Sequence, residues 1–168
     1  MHALSTKRLD LEPLNESHAE MLVEPFLDQR VWTYLPHLRP ADSDAVRVRL
    51  QRWLSPPPPE MPEAIAFENW VGFERTTRTL VGTFQATIIR DASATIGYIV
   101  LPGSWRHGYA VEAMTVVCDH LRDAHAIRSI RADMYRDNEG SAAVARRLGL
   151  TEIPAANPND RAFEKHLE

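Results

Sequence analysis

Ile96-Gly97-Tyr98-Ile99-Val100-Leu101-Pro102-Gly103-Ser104-Trp105-Arg106-His107-Gly108-Tyr109-Ala110-Val111-Glu112-Ala113 is the stretch on which the fold turns. It passes from an apolar segment, Ala94 to Leu101, through a short loop with two glycines and into a helical pattern. Ala110, Ala113, Met114, Val117, Cys118 and Leu121 recur at helical spacing, the best-patterned helix in the chain. The first amides of a helix have no intrahelical partner and sit at the positive end of its dipole. A loop entering there can wrap N–H groups around a phosphate. Gly108 brings no side chain to block a close approach, Ala110 keeps the entry narrow, and Arg106 and His107 add charge or donors. Strand–glycine loop–helix units are common, and most of their glycines only turn the chain. Local physics therefore permits an anion site here without requiring one.

Upstream, Asn69 to Arg75 and Leu80 to Ile89 are rich in aromatic and β-branched residues and are joined by Thr76-Thr77-Arg78. Asp91-Ala92-Ser93 makes a second turn, so these two segments and Ala94 to Leu101 form an antiparallel meander. The last strand is nearly all apolar and is expected at the centre of the sheet. Further back, Leu9 and Leu11 alternate with charged residues in a short strand that Pro13 ends. Asn15 or Ser17 caps a helix carrying Ala19, Leu22, Val23 and Phe26, with Ser17 and Glu20 spaced as a capping box. Asp42 or Ser43 caps a second helix with Val46, Leu50, Trp53 and Leu54 on one stripe. Pro56 to Pro59 then supply no backbone donor and read as an extended connector. Downstream come a strand, Ser129 to Tyr135, and a helix, Gly140 to Leu148, with Gly149 suited to its left-handed cap. The tail has room for strands near Thr151–Ile153 and Arg161–Leu167.

The chain has 168 residues, 44% hydrophobic and 25% charged, which fits one globular domain spanning 1–168 with one good core. A net charge of −4 without a Lys/Arg block disfavours nucleic-acid binding. The one cysteine, Cys118, forms no intramolecular disulfide. No apolar run reaches the ~18 residues of a membrane span, and the N-terminal residues lack the apolar core of a secretory signal. A cytoplasmic protein is the expectation. The seven histidines show no metal-ligand spacing, so no metal is expected.

Trp105-Arg106-His107-Gly108-Tyr109-Ala110 resembles the acetyl-coenzyme A motif of the GNAT acetyltransferases, (Gln/Arg)-x-x-Gly-x-(Gly/Ala). Trp105 replaces the usual first residue. That departure, and Tyr109-Ala110-Val111-Glu112-Ala113 after it, resemble the ribosomal-protein N-terminal acetyltransferase branch. The segment from Ile130 to Ser141, the run Arg147-Leu148-Gly149-Leu150 and the opening Thr6 to Leu14 resemble further blocks of that branch. The resemblance implies a mixed, mostly antiparallel α/β sheet of roughly six to seven strands with about four flanking helices, split between the fourth and fifth strands. It implies that backbone groups of Tyr98, Ile99 and Val100 hold the pantetheine of acetyl-coenzyme A and that Trp105, Arg106, His107, Gly108, Tyr109, Ala110 and Val111 take its pyrophosphate. Asn138 would touch the pantetheine arm.

The implied activity is transfer of an acetyl group to a primary amine, on a protein N-terminus or a small molecule, by direct attack in a ternary complex. Many family members carry a tyrosine acid seven residues after the asparagine, but Ala145 stands there. Ser141 is the substitute proton donor; its other reading is a residue that caps or starts the helix. Asp133 is the candidate base, against a solvent-facing or Arg-paired carboxylate, and Glu68 and Glu74 are lesser candidates. Glu112 reads as capping or pairing within the first helical turn, and Cys118 as core. Trp32, Tyr34, Trp53 and Trp70 either line an acceptor pocket or pack the core. The missing tyrosine leaves open a sensor or partner that binds acyl-coenzyme A without transfer. A structural domain with no nucleotide site is the third reading. The protein is expected to be a monomer or homodimer.

Overall fold

A computed structural model describes residues 1–167. In chain order it contains β1 (Leu4–Ser5), β2 (Leu9–Pro13), α1 (Glu16–Leu27), α2 (Ser43–Leu54), β3 (Ala64–Glu74), β4 (Leu80–Ile89) and β5 (Ser93–Val100). These are followed by α3 (Tyr109–His125), β6 (Ser129–Tyr135), α4 (Glu139–Arg147), β7 (Thr151–Ile153) and β8 (Asp160–His166). The strands form one eight-stranded sheet in the order β1-β2-β3-β4-β5-β6-β8-β7. Every pairing is antiparallel except β5 with β6. No helix among the described residues is long and apolar enough to cross a membrane.

Alternation along the strands builds two cores, one on each face. Trp70, Phe84, Ala86, Ala94, Ile96 and Ile130 face α3 and α4. Val71, Phe73 and Leu101 face the other way and pack with Leu22, Phe26, Val46 and Leu50 of α1 and α2. The two helical stripes read from the sequence thus cover one side of the sheet, and the long α3 covers the other.

The eighth strand beyond expectation is β1, whose two residues pair with Asp10 and Leu11. Two residues are too few to show alternation. β3 begins at Ala64, earlier than Asn69, because Ala64 to Glu68 continue the pairing with Ile89 to Ala86. Asn15 is the cap of α1, its Oδ1 accepting from the His18 amide at 3.0 Å. Ser17 and Glu20 do not form a capping box: the Ser17 hydroxyl donates to Asn15, and Glu20 pairs with Arg47 of α2 at 2.7 Å. Asp42 caps α2. The prolines after α2 lie outside any helix or strand.

Pairing between β5 and β6 covers only Ser93↔Ser129, Ala94↔Ile130 and Thr95↔Arg131. Beyond Thr95 the strands part. β5 keeps its register with β4 up to Gly82↔Val100, while β6 continues against β8 to Tyr135. With the two-residue β1 left out of the count, this parting is the split expected between the fourth and fifth strands.

Candidate active site

One wall of the gap is the free edge of β5. The Leu101 amide donates to Val81 of β4, whereas the Val100 carbonyl accepts from the Trp105 indole on the other side. Main-chain groups alternate in direction along an extended strand. Tyr98 and Val100 therefore turn theirs to the gap, and Ile99 turns its own to β4. Ile99 reaches the α1/α2 face through its side chain.

Trp105 explains its departure from the usual motif residue. Its Nε1–H donates to the Val100 carbonyl at 2.6 Å and pins the loop to the end of β5. The loop then turns through positive φ at Arg106 (65°) and Gly108 (79°), the latter entering α3 without a side-chain cap. His107 donates Nδ1–H to the Trp105 carbonyl at 2.8 Å and stacks on Tyr109, centroids 5.5 Å apart. The amides of Arg106, His107, Gly108, Tyr109, Ala110 and Val111 have no hydrogen-bond acceptor among the described residues. They open at the N-terminus of the 17-residue α3, where the helix dipole adds positive potential. Arg8 adds a formal charge: its guanidinium lies over the Tyr109 ring at 4.7 Å, and a Cβ on Gly108 would meet its Nη2 at 3.6 Å.

Glu112 does not pair within its own helical turn. Its carboxylate accepts from the Thr6 hydroxyl, the Arg8 amide and the Arg8 guanidinium at 2.5–2.8 Å. Burial pushes this carboxyl up, but the hydrogen bonds from Thr6 and Arg8 together outweigh it, and the net direction is down. The β1–β2 turn is thereby tied to the start of α3.

The side chains at the gap fall into two groups. On the α3/α4 side, Asn138 caps α4, its Oδ1 accepting from the Ser141 amide at 3.0 Å. Its Nδ2 has no partner among the described residues and stays free for a ligand. Ser141 is therefore not the cap, and its hydroxyl is uncommitted. It lies against the Tyr98 hydroxyl, which is buried and lacks a well-formed hydrogen bond. Burial pushes the Tyr98 phenol up, and Ser141 offsets this in part. The phenol is protonated at neutral pH. Sequence reasoning used Tyr98 for its backbone and missed this hydroxyl; the signal was a tyrosine in an apolar strand beside a position, Ala145, that had lost its own. Ala142 and Ala145 are buried, so α4 packs close over the sheet.

On the opposite face, Asp133 is exposed at the parting edge of β6. Arg131 grips it through Nε–Oδ2 at 2.9 Å and Nη2–Oδ1 at 2.7 Å. Two other buried polar atoms lack partners, Thr83 Oγ1 and Gln85 Nε2. They sit on β4 in register with Ile99 and Gly97, on the α1/α2 face of the sheet, whereas the Tyr98 hydroxyl is on the α3/α4 face. Glu68 and Glu74 lie elsewhere. Glu68 is buried beneath α3 and bonded to His120, and Glu74 binds Thr76 and Thr77 in the β3–β4 turn. Trp32 and Trp70 are core, and Trp53 lines a cavity of about 270 Å³ with Leu54, Phe67 and Asn69. Burial pushes the Cys118 thiol up to about 11, which fits its place in the core.

Residues 8–151 match the model of the acetyltransferase (GNAT) domain. The chain belongs to the GNAT acetyltransferase family. Within the family, it is 33% identical over 84 residues to the uncharacterized N-acetyltransferase YoaA of Bacillus subtilis (strain 168). That match takes in 49% of this chain and 48% of the relative, so the aligned chain spans about half the length of that curated relative. Among solved structures, the RimL ribosomal L7/L12 α-N-protein acetyltransferase in complex with coenzyme A superposes with a TM-score of 0.80 at 18% identity, over 98% of both chains. Spermidine N-acetyltransferase from Vibrio cholerae, in complex with coenzyme A and spermine, gives 0.75 at 13% identity over 95% of both chains. The acetyltransferase (GNAT family) structure from Bacillus anthracis gives 0.77 at 17% identity, over 98% of both chains. These likenesses establish the GNAT fold.

Proposed function

We propose that this protein transfers an acetyl group from acetyl-coenzyme A to a primary amine, by direct attack while both substrates are bound. The observation that carries this reading is the run of unpaired amides from Arg106 to Val111 at the mouth of α3. Such amides suit a pyrophosphate, which accepts several hydrogen bonds and is drawn to the helix N-terminus. The main-chain edge at Tyr98 and Val100 suits the amide-bearing pantetheine arm, as an added strand would be held. Asn138 Nδ2 offers it a further donor. The coenzyme supplies an activated thioester whose carbon accepts the amine and whose sulfur departs.

The chain's own groups supply the rest. Free N–H groups on the β5 edge stabilise negative charge developing on the thioester oxygen. The hydroxyls of Ser141 and Tyr98 form the proton source for the departing sulfur: Ser141 donates, and Tyr98, held protonated by burial, replenishes it. Asp133 faces the acceptor side and takes the proton from the attacking nitrogen, released from Arg131 as it does so. An α-amine, titrating near 8, needs little help from such a base, whereas a lysine near about 10.4 needs more. This favours a protein N-terminus or a small α-amine as acceptor.

The buried Ala145, where a hydroxyl-bearing residue would be expected, favours the second reading, a binder of acyl-coenzyme A without transfer. Thiol release with a panel of amines, beside calorimetric titration of coenzyme A, separates the two. Transfer predicts saturable binding and turnover, with Ser141→Ala and Tyr98→Phe lowering kcat more than they raise Kd. Binding without turnover on any amine gives the sensor reading. No binding at all removes both.

A further inference from the structure

Glu68, His120 and His125 come together under the C-terminal half of α3, away from the coenzyme loop. His120 lies eleven residues beyond the first residue of α3, about 16 Å along the helix. The Nε2 of His120 is 2.8 Å from one oxygen of Glu68, and the Nε2 of His125 is 3.1 Å from the other. The three donor atoms all lie within 4.8 Å of one another. Glu68 and His120 are buried, and His125 reaches the surface at the end of the helix. The rings of His120 and His125 meet edge to face at 5.3 Å.

We propose that these three side chains form a divalent-cation site, with zinc the best match. Two imidazoles and one carboxylate are a known zinc donor set, which leaves a fourth position for water. Tetrahedral zinc with bonds of about 2.0–2.1 Å holds its ligand atoms about 3.3 Å apart. The observed contacts of 2.8 and 3.1 Å open slightly to reach that spacing, and the two nitrogens already lie within 4.8 Å of each other.

Charge points the same way. Glu68 is a buried carboxylate with no arginine or lysine partner among the described residues; the Met1 amine stands 4.0 Å from it, at the limit of an ion pair. A buried carboxylate demands a cation or proton nearby. Two imidazoles converging on one carboxylate, each from a different oxygen, make a pocket for a cation and not a linear proton chain. The donors stand on rigid elements, β3 and α3, and the ion would clamp the end of the helix to the sheet.

The test uses the intact chain, stripped with chelator and titrated with zinc alone. One equivalent bound per chain is expected, with a rise in Tm. Glu68→Gln, which keeps the volume, and His125→Ala, which removes a surface-reaching ring, each weaken binding by tenfold or more. His166→Ala, at an exposed histidine of β8, leaves it unchanged. Cobalt in place of zinc gives the visible bands of a tetrahedral centre in the parent and not in His125→Ala. No stoichiometric binding, or equal affinity in parent and His125→Ala, overturns the site. Neither result bears on acetyl transfer, which uses the opposite end of α3.

Discussion

Replacing Gly82 with alanine should strike the fold and the gap together. Gly82 sits where the β3–β4 register slips by one residue, at φ +154°, and pairs with Val100 of β5. A Cβ there would lie 2.0 Å from the Ile99 carbonyl oxygen, 2.9 Å from Val100 Cα and 3.0 Å from Ile99 carbonyl carbon. All three are main-chain atoms, so no side chain can swing away. β5 would have to retreat by about 1.5 Å to restore ordinary contact near 3.5 Å. Overpacking of this kind costs about 1–3 kcal/mol, and a side chain held at that φ about 1–3 kcal/mol more. The sum, about 2–6 kcal/mol, is a large share of a typical domain's total stability of about 5–15 kcal/mol. With a urea slope of about 2 kcal/mol/M, the unfolding midpoint should fall by about 1–3 M. Gly103→Ala is the control, because a Cβ there meets nothing within 4 Å. The displaced atoms are those of Ile99 and Val100, so coenzyme A affinity should fall even where the variant stays folded. Stability of Gly82→Ala within about 0.5 kcal/mol of the parent, with unchanged coenzyme binding, would refute the account of the β4–β5 edge.

Glu112→Gln should make stability less dependent on acid. The folded carboxyl lies below its ordinary 4.5, so its contribution is present above that value and is lost as pH falls through the folded one. Thermal melts at pH 7 and pH 3.5 should lie closer together in the variant; an equal gap counts against the Thr6–Arg8 tie. Cys118, pushed up to about 11, should react with a thiol reagent at pH 8 far more slowly than free cysteine, and speed up only on unfolding. Fast native-state labelling would contradict its burial. Asn138→Ala removes the cap of α4 and should cost about 1 kcal/mol in urea denaturation while also weakening coenzyme A binding. A stability loss with unaltered affinity would make Asn138 structural only.

Much of this architecture could be read from residue order because each long element carries its own period. The apolar run of β5, the stripe of α3 and the left-handed Gly149 needed only local physics. Cooperative pairing was harder to read. β1 is too short to alternate, and the first residues of β3 include Ala and Glu, poor strand formers held by their partners on β4. Side-chain alliances across the sheet were the least legible. Glu112 joins residues more than a hundred positions away, and Glu68 meets His120 and His125 at separations of 52 and 57. No spacing rule along the chain can bring those three together, which is why the histidines gave no metal signal. Tyr98 fell between the two cases: its strand was plain, but the use of its hydroxyl depends on α4 lying close, which the small residues at 142 and 145 allow. Asp133 was expected either in the cleft or paired with arginine, and it is paired at the cleft's edge.

The seam between β5 and β6 is stitched at three residue pairs and then left open. The outer panel of β6, β8 and β7 hangs from the rest of the sheet by that short seam and by the helices above it. A guest lying in the slit supplies the rungs the protein omits, so occupancy should be felt as stiffness well beyond the residues it touches. Amide exchange at Met134 and Tyr135 should slow together with that at Tyr98 and Val100 once the slit is filled, because sub-global opening is governed by the weakest join.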